Sequence, residues 1–381
     1  KYGPALDMMD LINDLKLSAL AFRQMKAGSG EMMACVVVRG TFHIIPGQTL
    51  VWAEQQEPIQ FEDVYQGDPL TTPLIRCSDI VPFKPKADLT LLAWASRPAS
   101  QSDATWLSGL IFNGKPHAFR VCGRRYWDFR PAIHENQSGH WQLSDVESIP
   151  NVMLSWTLAY GGSKPLKAGQ STADVVPANP IGCGYVDWDA SPKDQRILAP
   201  SILRDEESHL EACHNLVPYG SAPVSPWWLW RQKYAGTYDK AWLDEVHPRL
   251  PLDFDYHFYQ CAAPEMVYDS YFRGGETVRL INVHSQHHQI DFLLPQYRPI
   301  AQIKRKTSEV FTVSLNMDGC HINLLTENQA AKVILTWRAW VPFQPEVSSI
   351  RLGMQGLDTM IREGVAARSA IPLHGMPKWP S

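Results

Sequence analysis

Asp253 and Asp255 are the pair of carboxylates whose type and spacing could do chemistry, as general acid and base or as ligands of a cation. Residues i and i+2 of an extended segment share one face, so the same pair can instead cap turns, pair with Arg249 or Arg273, or accept from backbone N–H groups. The capping role is expected. No second carboxylate pair can be tied to them, although Asp187 and Asp189 flank Trp188 in the same way. His284, His287 and His288 form a tight cluster of imidazoles, the commonest transition-metal side-chain ligand, yet neither Cys nor carboxylate stands beside them at a zinc spacing. A solvated hairpin loop over 283–289 is the expectation, with no metal and no cofactor. Cys213 and His214 are neighbours in sequence, which does not make a nucleophile and its base. No catalytic constellation can be assembled, so the chain is expected not to be an enzyme.

Binding chemistry is better represented. Residues 227–259 read WWLWRQKYAGTYDKAWLDEVHPRLPLDFDYHFY, with Trp227, Trp228, Trp230, Tyr234, Tyr238 and Trp242 set among small turn residues. Rings and backbone of this kind suit a buried platform or a partner-binding surface. Pro223 and Pro226 precede the tryptophans, which predicts an extended backbone with Trp228 and Trp230 on one side. The alternative is a carbohydrate-binding or carbohydrate-processing β-sandwich, since the chain holds 14 tryptophans.

Composition narrows the partners. With 381 residues, 45% hydrophobic and 19% charged, the chain is long enough to bury a large core and is not disordered in bulk. A net charge of −4 supplies no general footprint for nucleic acid, leaving only a local basic patch at Lys304, Arg305 and Lys306. No run approaches the roughly 20 apolar residues of a membrane span, and the visible start lacks a signal-peptide layout. Seven scattered cysteines, odd in number and without a C-x-x-C pair, read as reduced thiols of a cytoplasmic protein.

The elements that must position these residues are mostly strands. Runs at 34–45, 89–95, 105–112, 278–283, 290–294, 310–315, 321–325 and 332–341 are β-branched and apolar between turn residues. Asn113-Gly114 marks a type I′ hairpin, and Asp318-Gly319 marks another turn. Helices are expected at 5–20, 203–213 and 348–367, the last from the spacing of Ile350, Met354, Leu357 and Ile361. The fold class is mainly β: two packed, antiparallel, sandwich-like halves, 1–157 and 227–345, joined by an irregular Gly/Pro-rich middle, 158–226, and followed by a partly helical tail, 346–381. Within the middle, Gly161-Gly162 closes a turn after a strand at 154–160, while Asn179, Pro180, Gly182 and Gly184 form a structural turn rather than a phosphate loop. Gly274-Gly275-Glu276 closes a turn before the strand at 278.

Several blocks carry a resemblance: VVVRGTF from Val36, YQGDPL from Tyr65, SDIVPFKPKADL from Ser78, GRRYW from Gly123, LAYGG from Leu158, NPIGCGY from Asn179, RQKYAGTYDKAW from Arg231, LPLDFDYHFYQCAAPE from Leu250 and YFRGGETVRLINV from Tyr271. In this order, over roughly residues 34–345, they resemble the bacterial family catalogued as domain of unknown function 2169, associated with type VI secretion as an effector adaptor. The resemblance implies a cytosolic chaperone of a Gram-negative bacterium that binds a toxic effector and helps load it onto the VgrG spike, often through a PAAR-type tip. It implies no contact residue. A structural component of the secretion apparatus is the third reading.

Overall fold

The computed structural model describes residues 7–99, 101–132, 139–164, 173–189, 195–205, 217–325 and 331–355. MMACVVVRGTFH forms the long strand Met32–His43, buried along almost its whole length. The apolar run from Met32 to Val38 belongs to a strand covered on both faces. Ser18–Met25 and Lys332–Pro342 flank it antiparallel; Asn316–Asn323 and then Ala87–Leu92, the latter parallel, continue the sheet. A second large sheet runs Ile202–Arg204, Lys115–Cys122, Thr105–Phe112, Thr277–Ile281, Gln289–Leu293, Gln48–Thr49. Strands from before residue 157 and after residue 227 therefore lie side by side in both sheets, and the fold is mainly β.

The two sheets face each other through one core. Val36, Val38, Leu335, Trp337, Leu89 and Leu91 of the first meet Leu110, Phe112, Phe119, Leu280 and Phe292 of the second. Fully burying a side chain of this size contributes about 1.5–3 kcal/mol, so this layer dominates the stability. The opposite face of the first sheet is also covered. Phe22, Met33, Cys35 and Val37 pack there against Ile59, with Ile80 and Phe83 adjoining.

Asn113 and Gly114 have φ of 46° and 86°, as a type I′ hairpin requires, between Thr105–Phe112 and Lys115–Cys122. The helix expected at 5–20 is instead the strands Asp7–Met8, Leu11–Asn13 and the start of Ser18–Met25. Leu17 and Ala21 face the main core while Leu20 and Phe22 face the other side, a two-sided burial that imitates helical spacing. Over 348–355 the expected helix is the strand Val347–Met354, where Ile350, Leu352 and Met354 alternate with Arg351 and Gly353; residues from 356 on lie outside the described residues. Ile202–Arg204 replaces the start of the helix expected at 203–213, and 206–216 are not described. The strand expected at 154–160 is a 3-10 turn, Trp156–Leu158, capped by Ser155. Asp318 and Gly319 are no turn but a bulge within Asn316–Asn323. Pro299–Arg305, missing from the expected strands, opens with its proline, the strand position that tolerates one.

Candidate functional site

The aromatic segment is built around Trp156. Its ring is fully buried, and its indole N–H donates to the Ala222 and Pro223 carbonyls at 2.9 and 3.1 Å. Trp228 and Trp230 stack edgewise on it, with centroids 5.6 and 5.3 Å away. The backbone there is not extended: Ser225–Trp228 turns into the short helix Leu229–Gln232. Helical spacing two residues apart still brings both rings to one indole, because Trp228 is the cap and sits off the helical path. Arg231 is buried, donating from Nε to the Phe258 carbonyl at 2.8 Å and from Nη1 to the Val224 carbonyl at 2.9 Å.

The glycine motifs brace the same point. Asn179 is completely buried, and its Nδ2 donates to the Trp156 and Tyr160 carbonyls at 2.8 and 2.9 Å. A Cβ on Gly182 would stand 2.4 Å from that Nδ2, so only glycine fits. Gly161 and Gly162 lie against Asn179 and Gly182, and the Tyr160–Gly161 strand runs parallel to Cys183–Gly184; Pro180 occupies the intervening turn. Gly274 and Gly275, with φ of 84° and 86°, form the expected turn, where Glu276 accepts from the Arg273 N–H at 2.7 Å.

The outer side of the segment is different. Leu229, Tyr238, Leu243 and Leu252 are 46, 53, 58 and 66% exposed, an apolar rim beside half-buried Trp227, Tyr234 and Trp242. Asp253 fixes the rim by accepting from the Thr237 N–H and hydroxyl at 2.9 and 2.7 Å. Asp255 caps Tyr256–Tyr259 through the His257 N–H at 2.9 Å, with the His257 ring at 2.7 Å. Hydrogen bonds from Thr237 hold the Asp253 carboxyl below its ordinary pKa; for Asp255 burial pushes upward but the His257 bonds outweigh it. Both carboxylates serve the backbone, as expected. His284 accepts from the Gln286 and His287 N–H groups and stacks on His287 at 4.9 Å. Among the described residues no group of three or more His, Cys, Asp or Glu is placed to hold a metal ion. Arg305 of the basic patch turns inward, pairing with Glu309 at 3.3 Å, while Lys306 pairs with Glu346 at 2.7 Å. Cys213 lies outside the described residues.

Behind the platform lies a layer that sequence reasoning missed. On the outer face of the first sheet, strand register aligns Arg39, Thr336, Gly319 and Asp88 in one row and Thr41, Ile334, His321 and Thr90 in the next. Arg39 donates to Asp79 at 2.6 Å and reaches Glu57 at 3.3 Å, Arg76 meets Glu57 at 2.6 Å, and Lys84 donates to Asp88 at 2.6 Å. Arg338 binds Asp318 directly and stands 3.6 Å from Asp79. Asp318 is 1% exposed and Arg338 3%. Burial pulls the Lys84 ammonium down in pKa, but Asp88 outweighs this and holds it charged; Asp88 is lowered by the same contact. Burial pushes His321 down to about 3, helped by the neighbouring guanidiniums of Arg39 and Arg76.

The signal for this layer was available in part. Arg39 and Thr41 alternate with Val38, Gly40 and Phe42, and Asp88 and Thr90 alternate with Leu89 and Leu91. Alternation of that kind reads as a solvated face, and only the cover from 54–84 together with Gln260 and Cys261 makes it interior.

The chain matches the family model described as an uncharacterized protein conserved in bacteria, DUF2169, over residues 29–338. It belongs to that family. The DUF2169 match takes in the aromatic platform, the polar layer and most of both large sheets, while Val347–Met354 lies beyond it. No curated protein and no solved structure matches the chain. Three blocks on which the family resemblance rests, those starting at Val36, Ser78 and Leu250, supply Arg39, then Asp79, Lys84 and Asp88, then Gln260 and Cys261 to the polar layer.

Proposed function

We propose that this protein is a cytosolic adaptor that binds a partner polypeptide stoichiometrically and without cofactor, the partner being a type VI secretion effector that it helps load onto the VgrG/PAAR spike. The observation carrying the reading is the two-sided platform. Its inner side is anchored by Trp156, Trp228 and Arg231, and its outer side presents Leu229, Tyr238, Leu243 and Leu252 to solvent. Exposed apolar side chains on a pre-ordered support are what a docking surface needs, because little entropy is lost when they are covered. The capping duties of Asp253 and Asp255 add support, since neither carboxylate is left for turnover. The secretion role and the compartment rest on the family resemblance.

Co-expression with any toxin polypeptide found to be encoded beside it tests the proposal. The wild type should copurify that polypeptide, and Leu243→Ser with Leu252→Ser should lose it while melting within a few degrees of wild type. Retention by the double variant would move the interface elsewhere, and saturable binding of a glycan at Tyr238 and Trp242 would favour the carbohydrate reading.

A further inference from the structure

A cavity of about 60 Å³ lies in the buried polar layer, lined among others by Arg39, Arg76, Lys84 and Arg338, and by Asp79 and Asp88. Its two carboxylates are already committed. Asp79 accepts from Arg39 and the Gln60 N–H at 2.6 and 2.8 Å, and Asp88 accepts from Lys84, Gln260 and the Cys261 N–H at 2.6, 2.8 and 2.9 Å. Donors, by contrast, are left over. Arg39 is 3% exposed, and its Nε is buried with no hydrogen-bond partner among the described residues; Nε2 of His321 is also unpartnered, and it is a donor in the tautomer whose Nδ1 accepts from the Thr90 hydroxyl at 2.8 Å. Lys84 uses its ammonium on Asp88 and the Cys261 sulfur, at 2.6 and 3.4 Å, although an ammonium has three protons to give. Surplus donors beside carboxylates that are already engaged favour an occupant that accepts rather than donates. An unpaired buried donor is costly, and such atoms in a native protein mark a water, an ion or a ligand.

Gly319 provides the room. It lies in the same row as Arg39 and Asp88, and a Cβ there would meet only Thr336, at an ordinary 3.4 Å. By volume the space holds about four waters, or one tetrahedral ion. Half-buried Arg76, Cys77 and Ser78 stand on its solvent side. We propose that this cavity is a binding site for a small inorganic oxyanion, phosphate or sulfate, held by Arg39 Nε, the Lys84 ammonium, the Arg76 guanidinium and the His321 ring. The bound ion would tie the 54–84 cover to the sheet, independently of what docks on the aromatic rim.

Titration calorimetry of the full chain with phosphate and with sulfate, in chloride buffers of matched ionic strength, tests the site. Saturable one-site binding of one or both is expected, and the more tightly bound ion identifies the natural occupant. Gly319→Val fills the space without removing a charge and should weaken binding at least tenfold. Arg39→Lys keeps the charge, loses the Nε donor and should weaken it similarly. Heats that never saturate, or that are equal in wild type and in a folded Gly319→Val, would mean that the cavity holds water only and would overturn the proposal.

Discussion

The polar layer and the aromatic rim invert the usual distribution in opposite senses: the first buries charges, the second exposes hydrophobes, and the chain passes from one to the other between Leu252 and Cys261. Either departure is more informative than the ordinary core between the sheets. Buried ion pairs contribute little net stability, since desolvation offsets their attraction, but they admit few alternative arrangements. Exposed apolar side chains contribute nothing to the fold and wait for something to cover them. Local rules that fail in a well-packed protein tend to fail at functional places, and here they fail in adjacent ones.

The largest effect that would sharpen this contrast comes from breaking a pair. Arg338→Ala leaves Asp318 without its partner in the core and should lower stability by about 3–5 kcal/mol, measured by urea unfolding, whereas Asp318→Ala should cost less because Arg338 keeps Asp79. Arg338→Met together with Asp318→Leu should recover most of that loss. If the double variant is as unstable as Arg338→Ala, the layer is not an isolated ion-pair network and the contrast with the rim weakens. Trp228→Ala, on the inner side of the platform, should cost a comparable amount, about 3–5 kcal/mol, through the cavity it leaves beside Trp156.

Acid should act on the buried histidines. Burial pushes His321 down to about 3 and His117, with Lys115 adding to the effect, down to about 4, from an ordinary 6.5. A depressed histidine means that the unfolded chain takes up the proton first, so stability is full above pH 6.5 and falls as the pH drops toward the folded values. Each histidine should cost about 2 kcal/mol between pH 6.5 and 5. The lowered pKa of Asp88 acts in the same direction at lower pH, whereas Asp318, raised by burial, acts against it. Urea unfolding at both pH values checks the slope, and His321→Asn should flatten it. An unchanged slope in that variant would show the ring protonating freely.

On the rim the effect on folding should be smallest. Leu243→Ala and Leu252→Ala should shift stability by no more than about 0.5 kcal/mol, the usual range for exposed positions. A loss comparable to that of Trp228→Ala would make the rim part of the core.

The contrast also explains what could be read from the sequence. Strands with strong apolar runs, such as Met32–His43 and Thr105–Phe112, were legible, and so was the Asn113-Gly114 hairpin, because local chemistry alone decides them. Leu11–Asn13 and Val347–Met354 were not, since they pair with each other across the whole chain and their alternation over short lengths imitates a helix. For the candidate site, backbone capping by Asp253 and Asp255 followed from residue type, whereas the bracing by Asn179 did not, because the Trp156 and Tyr160 carbonyls it reaches lie about 20 residues earlier. The polar layer did not, because Asp79 reaches Arg338 only after the sheet has assembled. Nor could the sequence divide the tryptophans into anchors such as Trp228 and partly exposed rings such as Trp242, a division set by Trp156 from a distant segment.

Site-specific photo-crosslinking in the producing bacterium addresses the adaptor proposal most directly. A photoreactive amino acid placed singly at positions 238, 243 and 252 should capture one and the same toxin polypeptide, and the same probe at position 310, exposed on Val310–Ser314, the edge strand of the four-stranded sheet that also holds Pro299–Arg305, Val347–Met354 and Leu11–Asn13, should not capture it. Crosslinks from the rim only within the chain itself, or equal capture from position 310, would contradict the assignment of the aromatic platform as the docking surface.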